Sequence, residues 1–283
     1  LQEGRTDVVL IIPAGFARDI YTDQPVSVGF LTNGSNTLQQ GYAMVPMQAV
    51  ISNFGAVCAV RSAAIHGVPL LPAVPVQLSI RMVGNPTQSY AFFYLYGVML
   101  TAAQIGLMVS FALSVHGDFH NHYMQRRGFW RTLLVKELFY NGVSLFSIFM
   151  GLAIITGGFQ MPFHGGIKDT FILCISFTFV VTNLAGILAL YFRTELALVQ
   201  CLVFYTLPAF MLSGYIWPEI GMMPLFQWIS WLIPIHYAAI DFRDLALLGN
   251  AAGEYRHAAI LVGVGILELS IMKGLYYCQN RCA

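Results

Sequence analysis

The chain has 283 residues, of which 57% are hydrophobic and only 10% charged, and its formal net charge is +1. Soluble domains carry about 25% charged residues, so this balance excludes an ordinary soluble domain and indicates a mainly α, polytopic membrane protein. A charge so close to zero, without any block of like charges, also argues against a nucleic-acid partner.

The chain opens at LQEGRTDVVL, without an initiator methionine or a signal sequence, as expected of a segment from within a longer gene product. Residues 1–90 are expected to form a small α/β domain, incomplete at its N-terminus. Asp7 to Ile12 is β-like and ends at Pro13, which suits the first turn of a helix running to about Ile20. Val26 to Leu31 is a second β-like run, closed by the turn Asn33-Gly34, after which Asn36 is placed to cap a helix. Asn33-Gly34-Ser35 also has the form of a glycosylation acceptor, although a tight turn accounts for it. Pro69, Pro72 and Pro75 mark an extended passage, and from Val76 the apolar residues Val76, Leu78, Ile80 and Met82 alternate with Gln77, Ser79 and Arg81 as in a half-buried strand.

From Ala91 onward the apolar runs reach the roughly 20 residues that a helix needs to cross a bilayer. Five spans are expected, at Ala91–Val115, Leu138–Gly157, Phe171–Tyr191, Leu196–Ile216 and Ala258–Tyr277. Lys and Arg are retained on the cytoplasmic side, which places Arg126, Arg127, Arg131, Lys136, Arg193, Lys273 and Arg281 inside. The opposite connections hold Lys168 with Asp169, then Glu219, Asp241, Arg243, Asp244, Glu254 and Arg256; they lean acidic and fall outside, together with residues 1–90. Lys136 and Glu137 stand at the cytoplasmic mouth of their span, and snorkelling to the interface accounts for Lys136.

The stretch FMLSGYIWPEIGMMPLFQWISWLIPIHY, Phe210 to Tyr237, is apolar enough for a membrane yet broken by Pro218, Pro224 and Pro234. The spanning helix is expected to reach Ile216 and to end at Trp217-Pro218. Pro224 then starts a short helix, and Pro234 breaks the path again before Asp241 reaches water. Irregular backbone at membrane depth needs protein or water to satisfy it, so residues 217–238 are expected to fold back into the outer leaflet, with Trp217, Trp228 and Trp231 at the interface.

Chemistry-bearing motifs are sparse. No GxxxxGKS or GxxxxGKT sequence is present to cradle ATP phosphates, and no GxSxG, HExxH or paired CxxC occurs. The five cysteines, Cys58, Cys174, Cys201, Cys278 and Cys282, are scattered and odd in number, as small hydrophobes would be. Cys278 and Cys282 also have a spacing open to metal or lipid, but no histidine stands beside them. His116 and His120 are four apart, on one helical face, yet only Asp118 stands near as a further ligand. With Arg126, Arg127 and Trp130 they read better as an amphipathic helix near residues 116–131 on the cytoplasmic surface. Inside the spans, Gln104, Asn141, Asn183 and Glu268 are costly unless they face protein or a cavity. Glu268 either contacts substrate or a proton, or links to a neighbouring helix. Tyr205, Phe210, Met211, Met222 and Met223 either line a route for apolar cargo or face lipid.

The pieces LIIPAGFARDI, FLTNGSN, MVGNPTQSY, LLVKELFYNGVSLF and AAIDFRDLALLG, taken in order, resemble ABC-2 type transporter permeases. The likeness is to the bacterial export subgroup with a large extracytoplasmic domain between its first two helices. The resemblance implies a six-helix unit whose first helix precedes Leu1, in the bacterial inner membrane, with both ends in the cytoplasm. It also implies a separate ABC ATPase subunit carrying ATP and Mg, so that this chain binds no cofactor or metal, is not an enzyme, and works with a second permease copy or paralogue among membrane lipids. A periplasmic membrane-fusion adaptor is a further partner it allows. On this likeness Asp118, Arg126, Arg127 and Gly128 receive motion from the ATPase, although the family's Gly-Thr after the basic run is here Gly128-Phe129. Trp217, Pro218, Glu219, Pro224, Trp228 and Pro234 belong to the re-entrant element that closes the outer end of the pathway. The implied function is export of a hydrophobic or amphipathic substrate. The alternative is an ATP-independent secondary transporter or channel, which calls for ionisable residues near the bilayer centre and inverted repeats; Glu268 stands alone and no repeat is found. A membrane-embedded enzyme or a structural partner lacks a catalytic motif.

Overall fold

The computed structural model describes residues 8–22, 24, 26–33, 37–66, 76–83, 90–217, 219–251 and 253–282. Two compact units divide between Phe93 and Tyr94.

The first unit contains β1 (Val8–Ile11), α1 (Phe16–Tyr21), β2 (Val26–Asn33), α2 (Thr37–His66) and β3 (Val76–Val83). The strands form one sheet in the order β1-β2-β3, with β1 antiparallel and β3 parallel to the central strand. A parallel pair needs a crossover, and α2, with Pro46 inside it, supplies one. In β2 the alternation puts Val26, Val28, Phe30 and Thr32 inward, which makes this strand the core of the unit. Helix α1 starts at Phe16 and not at Pro13, because the intervening turn ends with Gly15 in a left-handed conformation. Of the expected turn Asn33-Gly34, Asn33 is the last residue of β2, while Gly34, the capping Asn36, the prolines Pro69, Pro72 and Pro75, and the stretch from Gly84 to Ser89 lie outside the described residues.

The second unit is helical: α3 (Tyr90–His120), α4 (Tyr123–Arg127), α5 (Phe129–Gly158), α6 (Ile167–Tyr191), α7 (Glu195–Leu212), α8 (Pro224–Trp231), α9 (Pro234–Leu248) and α10 (Glu254–Cys282). Five of these, α3, α5, α6, α7 and α10, are long and apolar enough to cross a membrane. The protein is therefore a mainly α, multi-pass membrane protein with a small three-stranded sheet. α7 is the one span that stops short of its expected end, at Leu212 instead of Ile216.

Helix α6 is the most enclosed span, with 61% of its apolar stretch buried against 22% in α5 and in α10. It lies along α10 in the same direction. Gly265 abuts Phe179 and Val180, Gly186 abuts Met272, and Gln279 Nε2 donates to the Leu190 carbonyl at 3.0 Å. That register brings Glu268 level with Thr182 and Asn183. At the same end as Gln279, His116 of α3 bonds the Ala189 carbonyl through Nδ1 at 3.1 Å.

Candidate functional site

Two ends of the helical unit and one layer between them carry its polar chemistry. The first end is an elbow after α7. There the Ser213 hydroxyl donates to the Phe210 carbonyl at 2.7 Å and accepts from the Tyr215 amide at 3.3 Å, drawing the backbone out of the helix. Gly214 follows at φ 79°, a left-handed conformation that suits glycine. The chain then bends to a 3-10 turn, Glu219–Gly221, before α8 and α9. Pro224 and Pro234 stand in the first turns of these two helices, where a missing N–H costs nothing. Pro218 lies outside the described residues. Trp217, Trp228 and Trp231 are exposed, and the last two rings pack edge-on at 5.2 Å.

The elbow is pinned from within by His236. Its Nδ1 lies 2.9 Å from the Ser213 carbonyl and 2.8 Å from Ser230 Oγ, and its Nε2 lies 3.3 Å from Glu219 Oε1. A carbonyl only accepts, so Nδ1 carries a proton and ties the end of α7 to α8 and α9, while the contact of Nε2 with Glu219 in the 3-10 turn becomes a hydrogen-bonded ion pair only when Nε2 is protonated as well. Burial pushes the His236 pKa down, opposed by the charge of Glu219 and by the bond to Ser213.

Asp241 does not reach water as expected. It is buried in α9, 2.7 Å from His257 Nδ1 of α10, and its burial raises its pKa while His257 pulls it down. Arg243 is also buried; it bonds Asp244 at 3.0 Å and lies 5.2 Å from the centre of the Tyr215 ring. The Tyr215 hydroxyl accepts from the Gly97 amide of α3 at 3.0 Å. Sequence reasoning missed the buried His236 and Arg243 and the pairing of Asp241 with His257. The available signal was α9 itself, which begins with Pro234, ends before Gly249, and repeats apolar residues at Ile235, Ala238, Ala239, Phe242 and Ala246. A charge within such a helix has an inward face to occupy.

At the opposite end, the single surface helix expected near 116–131 is three pieces. α3 continues through His120, α4 is five residues long, and α5 begins at Phe129. The breaks are left-handed His122, at φ 58°, and Gly128, at φ 90°. Arg126 and Arg127 are exposed on α4, while Met124 and Phe129 are buried on either side of them, the Phe129 ring 4.6 Å from Tyr276. Asp118 is not presented outward with the arginines. It pairs with Lys136 at 2.6 Å, and Lys136 donates to the Ser114 carbonyl and hydroxyl at 2.6 and 2.7 Å. That cation ties α5 to α3 and does not snorkel. His116 is buried and stacks at 4.0 Å on His120, whose Nδ1 bonds the His116 carbonyl at 3.0 Å. Among the described residues, no group of His, Cys, Asp or Glu is arranged to hold a metal.

Between the ends, Asn141 donates to the Glu137 carbonyl at 2.8 Å and to Thr182 at 3.4 Å, and Asn183 to the Phe179 carbonyl at 2.8 Å. Gln104 Nε2 lies 3.6 Å from the Met108 sulfur, which Thr206 of α7 approaches at 3.9 Å. Gln104 Oε1, Asn141 Oδ1, Asn183 Oδ1, Glu268 Oε2 and Glu137 Oε1 are all buried without a hydrogen-bond partner among the described residues. Glu137 is thus buried within α5, although its place at the mouth of a span gave no sign of it.

The family model described as ABC-2 family transporter protein matches residues 1–272, and the chain belongs to that family. Over 230 residues it is 22% identical to "Probable multidrug ABC transporter permease YbhR" of Escherichia coli (strain K12), a match covering 80% of this chain and 60% of the relative. It is 29% identical over 98 residues to "ABC transporter G family member 20" of Dictyostelium discoideum, covering 35% of this chain and 13% of that protein. The chain thus spans 60% of the length of its YbhR relative. No solved structure matches it.

Proposed function

We propose that this chain is the membrane permease of an ATP-binding cassette exporter in a bacterial inner membrane, moving a hydrophobic or amphipathic substrate outward. The observation that carries this reading is the family match over residues 1–272, across both compact units and all but the end of the last span. A separate ATPase subunit supplies ATP and Mg, and a second permease copy or paralogue completes the pathway. A membrane-fusion adaptor and surrounding lipids are further partners. A curated relative named as a multidrug permease supports an amphipathic cargo.

In this reading α4 is the contact with the ATPase. Arg126 and Arg127 face outward on it, and Gly128 lets the chain turn into α5. Asp118 acts one step behind, through Lys136. The elbow with Trp217, Pro218, Glu219, Pro224, Trp228 and Pro234 is the outer gate. Nucleotide state can move that gate only by binding its two arrangements unequally.

Co-expression with the neighbouring genes and purification of the complex tests the reading. We expect an ATPase subunit to co-purify, with hydrolysis that amphipathic compounds stimulate. Arg126→Glu combined with Arg127→Glu should abolish that stimulation while the permease still inserts. Substrate flux driven by an ion gradient in the absence of ATP would instead establish the secondary-transporter alternative.

A further inference from the structure

Helices α5, α6 and α10 enclose a lateral groove of about 450 Å³, away from the elbow and from α4. Its walls include Leu138, Ile175, Phe179 and Val262, and its polar corner is Glu137 with Asn141. These two stand four residues apart on one face of α5. Glu137 is only 7% exposed, and its Oε1 and Asn141 Oδ1 are two of the buried side-chain atoms left without a hydrogen-bond partner among the described residues. Both are acceptors. The donors nearby are committed: Asn141 Nδ2 to the Glu137 carbonyl and Thr182, and the Ser176 hydroxyl to the Ile172 carbonyl at 2.8 Å. Lys136, the adjacent cation, is held by Asp118 and Ser114.

The groove therefore lacks a hydrogen-bond donor at one corner and hydrocarbon along its length. Water meets the first need and not the second, because a space walled mainly by apolar side chains does not hold water well. A carboxyl group within a span is costly unless it is paired, and a primary ammonium brings both a charge and three N–H donors. We propose that this groove binds an amphipathic primary ammonium compound, its head on Glu137 and Asn141 and its chain along Leu138, Ile175, Phe179 and Val262. The site names a cargo class for the exporter, and to that extent it rests on the function proposed above.

The test uses the permease–ATPase complex in phosphatidylcholine nanodiscs, with dodecylamine as probe. Dodecylamine should bind saturably and protect Glu137, but not Glu268, from modification by a hydrophobic carbodiimide, read by mass spectrometry. Glu137→Gln should weaken binding at least about ten-fold, the scale of a lost charge-assisted hydrogen bond. Leu138→Trp, which fills the groove from an exposed wall position and leaves the carboxyl in place, should do the same. Dodecyltrimethylammonium, with the charge but no N–H, and dodecanol should neither bind comparably nor protect. Equal binding by wild type and both variants, or carbodiimide labelling of Glu137 that the amine leaves unchanged, would overturn the site. Active ATP-driven export of other amphiphiles alongside that result would leave the exporter reading intact. Amine binding that depends on Glu137 in a protein without ATP-driven transport would do the opposite, keeping the site and removing the export function.

Discussion

Lys136 has three oxygen partners on α3, from Asp118 and Ser114, and side chains 16% and 25% exposed make its pair with Asp118 partly buried. Removing one member of such a pair leaves the other desolvated without compensation, whereas replacing both with apolar groups is far milder. Asp118→Ala should therefore lower stability by about 1–3 kcal/mol, and the double change Asp118→Ala with Lys136→Met should recover most of it. Thermal unfolding in detergent would check this; a double variant as unstable as the sum of the singles would show that the two residues do not act on each other. Sequence could locate both charges but not the contact, because Asp118 and Lys136 belong to different helices and their spacing along the chain carries no distance. The same holds for Asp241 and His257. Charge near a proline-broken stretch suggested water, while the fold supplied each with a partner.

At the scale of elements, the long spans were legible because a run of about 20 apolar residues has few alternatives. Their ends were less so. α7 stops four residues early through a serine hydroxyl and a left-handed glycine, neither of which alters hydropathy. Pro224 was informative as the start of a short helix, whereas Pro234, expected only to break the path, stands in the first turn of α9. Pro224→Ala should change transport more than membrane insertion, because alanine tolerates the first turn but frees the angle between Met223 and α8; unaltered transport would remove this proline from the gate.

His236 makes the elbow sensitive to acid. Its pKa in the closed elbow lies below its ordinary value of about 6.5, so the opened state binds more protons in that window and stability rises with pH through it. Glu219 and Asp241 oppose this lowering, His257 reinforces it, and burial outweighs the opposition. Acidification from about pH 7.5 toward about 5.5, a window that brackets the ordinary histidine value, should increase amide exchange in residues 213–236, and His236→Gln should flatten that response. Exchange that slows on acidification, once corrected for the intrinsic pH dependence of the chemistry, would mean that the ion pair with Glu219 dominates.

For the whole molecule, the five-span plan and the order of the family-like pieces were readable from one sequence, and the family match agrees with them. The packing of the spans was not readable. It depends on glycines such as Gly186 and Gly265 meeting particular side chains of another helix, and many glycines in these spans meet nothing. The α6 terminus has a mechanical consequence. The carbonyls of Ala189 and Leu190, which a helix end leaves open, are taken up by His116 of α3 and Gln279 of α10. Three spans are thereby stapled into one strut at that end, while α7 shares no such staple with them there among the described hydrogen bonds. A covalent bridge engineered between α6 and α10 should leave turnover nearly unchanged, and one between α6 and α7 should stall it; the division of labour is between a fixed frame and a moving lever.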